Sequence, residues 1–162
     1  MAVTSKRAGR HLVSVVPQLS VRGGLAALDF YRVAFGAEVV YQVGGTADNP
    51  SVVAELSIEG ASFWVADESP EHGNFSPESV GGSTTRMLLI VDDPAAAIAR
   101  AVTAGAARIY PAAKEHGWLL GRVEDPFGHH WEIGKPLIAW PPPAGGGHGP
   151  VKRAEESGSR AR

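Results

Sequence analysis

Arg122-Val123-Glu124-Asp125-Pro126-Phe127-Gly128-His129-His130-Trp131-Glu132-Ile133 is the stretch on which the reading of this chain turns. It reads as a strand, a tight turn and a second strand. Asp125-Pro126 starts the turn, Gly128 supplies the backbone freedom it needs, and alternation resumes after it. Side chains alternate across a strand, so His130 and Glu132 share one face while Trp131 and Ile133 share the other. An imidazole and a carboxylate therefore point to one side of a sheet, and the functional question is what lies on that side.

The chain has 162 residues, of which 44% are apolar, enough for one domain or for two small units sharing a core. Its 15 Lys and Arg against 17 Asp and Glu give a formal charge of -2, which offers no electrostatic footprint for nucleic acid or an acidic membrane. Cysteine is absent, excluding disulfides, thiolate metal sites and a cysteine nucleophile. A metal would have to be held by His, Asp, Glu or Gln. No window is long and apolar enough to span a bilayer, so the expected compartment is the cytoplasm. Neither a glycine-rich phosphate loop nor a nucleophile elbow is present.

Outward from the opening stretch, the pattern predicts two copies of one unit. Residues 1–10 read as a disordered basic arm, and residues 11–66 as the first unit. In it a strand over 12–21 precedes a helix from Leu25 to Phe35, which Gly36 closes as a C-cap; strands Ala37 to Val43, Val52 to Ile58 and Ala61 to Ala66 follow. Glu59-Gly60 makes a hairpin of the last two. Residues 67–83 read as a linker. The second unit, 84–137, runs from a strand at Arg86 to Val91 through Asp92-Asp93-Pro94, a helix start with proline in its first turn, and an alanine-rich helix ending at Gly105. Strands Ala106 to Pro111 and Trp118 to Glu124 follow, and the opening stretch supplies the last. Residues 138–162 form a Pro- and Gly-rich tail with no core of its own.

The repeat is traceable residue by residue: Val21, Leu28, Gly36-Ala37, Tyr41 and Gly60 fall against Val91, Ile98, Gly105-Ala106, Tyr110 and Gly128. The expected fold is α+β, two βαβββ units whose curved antiparallel sheets form an incomplete barrel around a shared cavity. Trp64 then falls against Glu132, and Val16 against Arg86. If Glu132 faces the cavity, the quartet Val16, Trp64, Arg86 and Glu132 lines its centre, with Gln18, Ser20, Leu88 and His130 on the walls.

Asp29-Phe30-Tyr31 with Phe35-Gly36-Ala37, the Gly121-Arg122-Val123 lead-in and Asp125-Pro126-Phe127-Gly128-His129-His130-Trp131 resemble the vicinal oxygen chelate superfamily. That group holds glyoxalase, bleomycin-resistance and dioxygenase types, and the chain looks most like its PhnB-like branch. The resemblance runs from Val13 to Leu137 and implies the two-unit fold and a homodimer, whereas the fold by itself leaves the activity open.

In metal-dependent members of the superfamily the four convergent positions carry His or Gln, Glu, His and Glu. Here they are Val16, Trp64, Arg86 and Glu132, of which Glu132 alone is a ligand type. The resemblance thus implies that no metal or other cofactor is needed, a divalent ion being possible only if Gln18, His130 and Glu132 form a site. The Arg86 guanidinium would stand where the metal stood, paired with Glu132.

That pair has two readings: a structural ion pair, or a ligand clamp in which Arg86 holds an anionic or carbonyl group while Glu132 orients it or acts as a base. Trp64 is either a core aromatic or a stacking platform. Trp118, next to the His116-Gly117 loop, either packs at the surface or walls the ligand. The set expected to bind ligand is Gln18, Trp64, Arg86, Leu88, Trp118, His130 and Glu132, with Glu132 as the catalytic candidate. The function expected is bleomycin-resistance-like binding of a small organic molecule in a metal-free cavity. The alternative is a metal-dependent glyoxalase-type lyase, isomerase or thiol transferase with an altered ligand set.

Overall fold

The computed structural model describes residues 13–141. The expected arm and most of the expected tail lie outside that range. Among the described residues eight strands and three α-helices follow one another in two similar series. The first is β1 (Gln18–Val21), α1 (Gly24–Phe35), β2 (Glu38–Gly44), β3 (Val52–Ile58) and β4 (Ala61–Asp67). After a short helix, α2 (Pro77–Val80), come β5 (Arg86–Ile90), α3 (Pro94–Thr103), β6 (Ala107–Glu115), β7 (Trp118–Glu124) and β8 (His130–Pro136).

The strands form two open four-stranded sheets of matching topology, β1-β4-β3-β2 and β5-β8-β7-β6. Each has one parallel pair, β1 with β4 and β5 with β8, and is otherwise antiparallel. The repeat extends to the register. Gln18 pairs Trp64 as Leu88 pairs Glu132, and both outer strands carry an irregularity at the residues before the equivalent tyrosines, Val39/Tyr41 and Arg108/Tyr110.

Local chemistry accounts for the helix ends. Asp93 accepts a hydrogen bond from the Ala96 amide at 3.0 Å and caps α3, with Pro94 in its first turn. No side chain caps α1 locally. Asp67, at the end of β4, reaches across to accept from the amides of Gly23 (3.1 Å) and Gly24 (2.8 Å). That approach requires glycine, because a Cβ on Gly24 would lie 2.7 Å from the Asp67 carboxylate.

One face of each sheet packs on its helix, and α1 and α3 pack on each other. The result is a single core to which both halves contribute. Tyr31 and Phe35 of α1 meet Trp131 of β8 with ring centroids 5.5 and 4.7 Å apart, and Phe63 of β4 closes the cluster at 5.4 Å from Trp131. The helix-free faces remain open, with Tyr41, Val43, Val53, Leu88, Ile90 and Tyr110 exposed on them.

Three boundaries depart from the sequence reading. The first strand begins at Gln18 rather than near residue 12, because ladder pairing starts only at the Pro17 carbonyl, which accepts from the Trp64 amide at 2.8 Å. The segment read as a linker, 67–83, contains α2 and a 3-10 turn over Pro70–His72. Ser76 caps α2, while Glu68 accepts from Ser79 and Arg22 and so fastens it to the first sheet. Finally, β6 runs past Pro111 to Glu115, the proline being accommodated within the second irregularity of that strand.

Candidate functional site

The turn that follows β7 is built around one carboxylate. Asp125 is 3% exposed. Its Oδ1 accepts from the Phe127 and His129 amides, each at 2.9 Å, which fixes the turn. Its Oδ2 accepts from the Tyr31 hydroxyl at 2.6 Å and the Trp131 indole at 3.0 Å. Four donors compensate the buried charge, and the turn of the second half is tied to the helix of the first. Burial, then the Asp125 charge, holds the Tyr31 phenol well above its ordinary pKa. His129 belongs to the same turn and is buried, with its Nε2 2.9 Å from the Ser20 carbonyl of β1. This hub sets the direction of β8 and hence of Glu132.

On the helix-free face of the second sheet, Glu132 sits between two guanidinium groups. Arg86 Nε lies 3.2 Å from Glu132 Oε1, and Arg122 Nη2 donates to the same oxygen at 2.7 Å. The Arg122 guanidinium also stacks on Tyr110, 5.3 Å from the ring centroid. Both ionic contacts fall on Oε1. Arg86 is 57% exposed, whereas Arg122 and Glu132 are largely covered, so the inner pair is the less screened of the two. Beside them a cavity of about 330 Å³ is lined by Tyr110, Pro111, Leu120, Arg122 and Glu132, all from the second half. Two buried nitrogens near this face, Arg122 Nε and His130 Nδ1, have no hydrogen-bond partner.

Arg86, Leu88, His130 and Glu132 come together: Arg86 is in register with His130, and Leu88 with Glu132. Trp118 stands at the far end of β7, edge-on to Trp140 at 5.4 Å. Gln18 and Trp64 lie on the other sheet, paired with each other, and Trp64 packs against Tyr41 at 5.8 Å. Val16 precedes β1. Among the described residues no hydrogen bond, ion pair or aromatic contact joins Gln18 or Trp64 to the Glu132 cluster, and no group of three or more His, Cys, Asp or Glu side chains is placed to hold a metal ion.

Arg122 is the site residue that the sequence reading passed over, and Tyr110 goes with it. Hairpin counting would have found both. The Asp125–His129 turn sets Arg122 opposite Glu132, and Tyr110 is the cross-strand partner of Arg122.

Comparison with known proteins agrees with this architecture. Residues 19–134 match a family described as a glyoxalase-like domain. An uncharacterized protein of Mycobacterium bovis is 36% identical over 126 residues, 75% of this chain and 82% of that protein. The crystal structure of an Arabidopsis thaliana gene product superimposes with a TM-score of 0.59 at 30% identity, over 77% of this chain and 100% of that one. A fosfomycin resistance protein from Listeria monocytogenes, complexed with Mn(II) and sulfate, has the same fold, with a TM-score of 0.58 at 13% identity over 78% of this chain and 93% of that one. Among the described residues no helix is long and apolar enough to cross a membrane.

Proposed function

The chain belongs to the glyoxalase-like domain family of the vicinal oxygen chelate superfamily, and from that premise we propose that it binds a small organic molecule on the open face around Glu132 without a metal, as bleomycin-resistance proteins do. The observation that carries this reading is the pair of guanidinium groups on one oxygen of Glu132, Arg122 at 2.7 Å and Arg86 at 3.2 Å. A divalent cation arriving at that carboxylate would displace or confront two fixed positive charges, and the donor set does not fit it. Glu132 Oε2 is left to accept from a ligand N–H or O–H, while the exposed Arg86 guanidinium has donors for a carbonyl or anionic group. Tyr110, Pro111 and Leu120 supply an apolar wall for the rest of the molecule. The branch suggested by the sequence, the PhnB-like one, is compatible with this use of the fold, as is a cytoplasmic homodimer.

Purified chain should carry no stoichiometric divalent ion by elemental analysis, and titration with Mn(II) should give no saturable heat. Bleomycin is the first probe for ligand binding, followed by tryptophan fluorescence, with Arg122→Ala as the control that removes any signal. One tightly held metal ion per chain would overturn the proposal.

A second reading has its own observation. The partnerless Nδ1 of His130 and the unshared Oε2 of Glu132 are the two donors the second sheet would give an altered metal set, Gln18 lying on the first sheet. It expects a metal-stimulated lyase, isomerase or thiol transferase activity that Glu132→Gln abolishes.

A further inference from the structure

Strand β1 is an edge strand that pairs with β4 alone. The Pro17 and Val21 carbonyls accept from the amides of Trp64 in β4 and of Glu68 just beyond it. Bonding direction alternates along a strand, so Leu19 also turns towards β4, while Gln18 and Ser20 direct their backbone N–H and C=O outward. One of those outward groups is answered, the Ser20 carbonyl, which accepts from His129 Nε2 at 2.9 Å. Among the described residues the Gln18 amide and carbonyl and the Ser20 amide have no partner beyond the ladder.

A cavity of about 400 Å³ opens along this edge. β1 from Pro17 to Ser20 lines one part of it, the segment carrying Phe75, Val80 and Thr84 another, and His129 completes the lining. The α2 wall is held by specific contacts. Pro77 lies against Gly128, where an added Cβ would come within 2.7 Å of the proline Cβ, and the Ser79 hydroxyl is bonded by both Arg22 and Glu68. Phe75 and Val80 nevertheless stay 52% and 62% exposed. The anchors therefore set a wall in place and leave its apolar side chains uncovered. Among the described residues no Asp, Glu, Lys or Arg side chain lines the cavity. A charged group entering it would lose hydration and meet no counter-charge, so ions are disfavoured. What the cavity offers is the donor and acceptor pattern of a strand edge beside apolar surface.

We infer that this cavity is a second binding site, for a small uncharged amide. It shares no lining residue with the cavity beside Glu132. A peptide-like group of the ligand donates its N–H to the Gln18 carbonyl and accepts from the Ser20 amide, the pattern of a parallel ladder, and its aliphatic or aromatic side chain lies on Phe75 and Val80. His129 keeps the Ser20 carbonyl occupied, which leaves the ligand that one pair of bonds. The site stands or falls independently of the Glu132 face.

The probes are N-acetyl-leucinamide and N-acetyl-leucine, which differ by an amide against a carboxylate. In two-dimensional amide NMR spectra of the full chain, the neutral probe should shift Gln18, Ser20 and Thr84 with a dissociation constant of about 1 mM, and the carboxylate should bind about tenfold more weakly or worse. Amide hydrogen exchange in the free chain should be fast at Gln18 and Ser20 and slow at Leu19 and Val21, and the neutral probe should slow Ser20 in proportion to the fraction bound. Phe75→Asp should abolish the shifts while leaving the β8 resonances in place. No shifts at about 10 mM probe, equal binding of the carboxylate, or undiminished binding by Phe75→Asp would each overturn the inference. So would slow exchange at Gln18 and Ser20 in the free chain, because the edge would then already be held by another segment of the chain or by a second copy.

Discussion

The first sheet spends its central row on aromatic packing, Tyr41 against Trp64, with Glu55 between them in register; the second fills the same row with an ion cluster, Arg122 on Tyr110 and on Glu132. Sheet order, the register of this row and the irregularity before each tyrosine are shared, so along this row the divergence lies in side chains on a face that no helix touches. Core positions cannot drift this way, because their volume is set by the helix above them. An open face has no such constraint, and there one half packs two aromatic rings while the other sets two guanidinium groups on one carboxylate. In this row the ion cluster is thus carried by one copy of the repeat and the aromatic packing by the other.

The hairpin turns differ as much as the rows. In the first half two residues suffice, Glu59 and Gly60, both with positive φ. The second half has the longer Asp125–His129 turn around a buried carboxylate. Asp125→Ala would strand the Tyr31 hydroxyl, the Trp131 indole and two amides in the core. It should cost about 3 kcal/mol or more, as measured by urea unfolding. Glu59→Ala, at the equivalent turn, should stay within about 0.5 kcal/mol. Comparable losses at the two turns would break the contrast between them.

A smaller effect separates the strands that precede those turns. Gly121 occupies the position of Ala54, yet a Cβ there would lie 2.5 Å from Ile98 Cδ1 and 2.9 Å from the Ala112 amide nitrogen. Gly121→Ala should therefore destabilise the fold by about 1–3 kcal/mol through overpacking of α3 on β7. Ala54→Gly should cost about 1 kcal/mol, from lost packing and added chain entropy. Thermal unfolding of the two variants ranks them, and the reverse order would show that α1 rather than α3 sits tighter on its sheet.

The smallest predicted effect lies at the junction of the halves. Hydrogen bonds from the Ser79 hydroxyl, from Arg22 and from the Ser76 amide push the Glu68 carboxyl down from 4.5 to about 2. Its folded pKa is below its unfolded one, so its contribution is complete above about pH 4.5 and is lost as pH falls towards 2. Wild type and Glu68→Gln should differ in urea midpoint at pH 6 and converge near pH 2. A difference that persists at pH 2 would mean that Glu68 holds α2 by packing rather than by charge.

Much of this was legible in the sequence because it is local or periodic. Gly36 ends α1 in the left-handed conformation, Asp93-Pro94 starts α3, and the alternation of β8 sets His130 and Glu132 apart from Trp131 and Ile133. The Arg86–Glu132 contact followed from aligning the two copies. Arg122 was not found, because a strand adjacent across a hairpin is read only by counting through the turn, and the turn length depends on how Asp125 bonds to its neighbours. Helix α2 was hidden in a Ser-, Glu- and Pro-rich segment whose order comes from Glu68 at its start and Arg22 outside it.

By itself the sequence determined the two units, their helices and hairpins, and the face on which each strand side chain falls, since caps, turns and a period of two are properties of neighbours along the chain. Tertiary structure alone decided that Asp125 is a buried hub for Tyr31 and Trp131, that Glu132 answers to two guanidinium groups, and that both helix-free faces stay open. Those outcomes depend on which distant residues a shared core brings to one place, and the energy of a charge depends on what surrounds it in space rather than on what adjoins it in sequence.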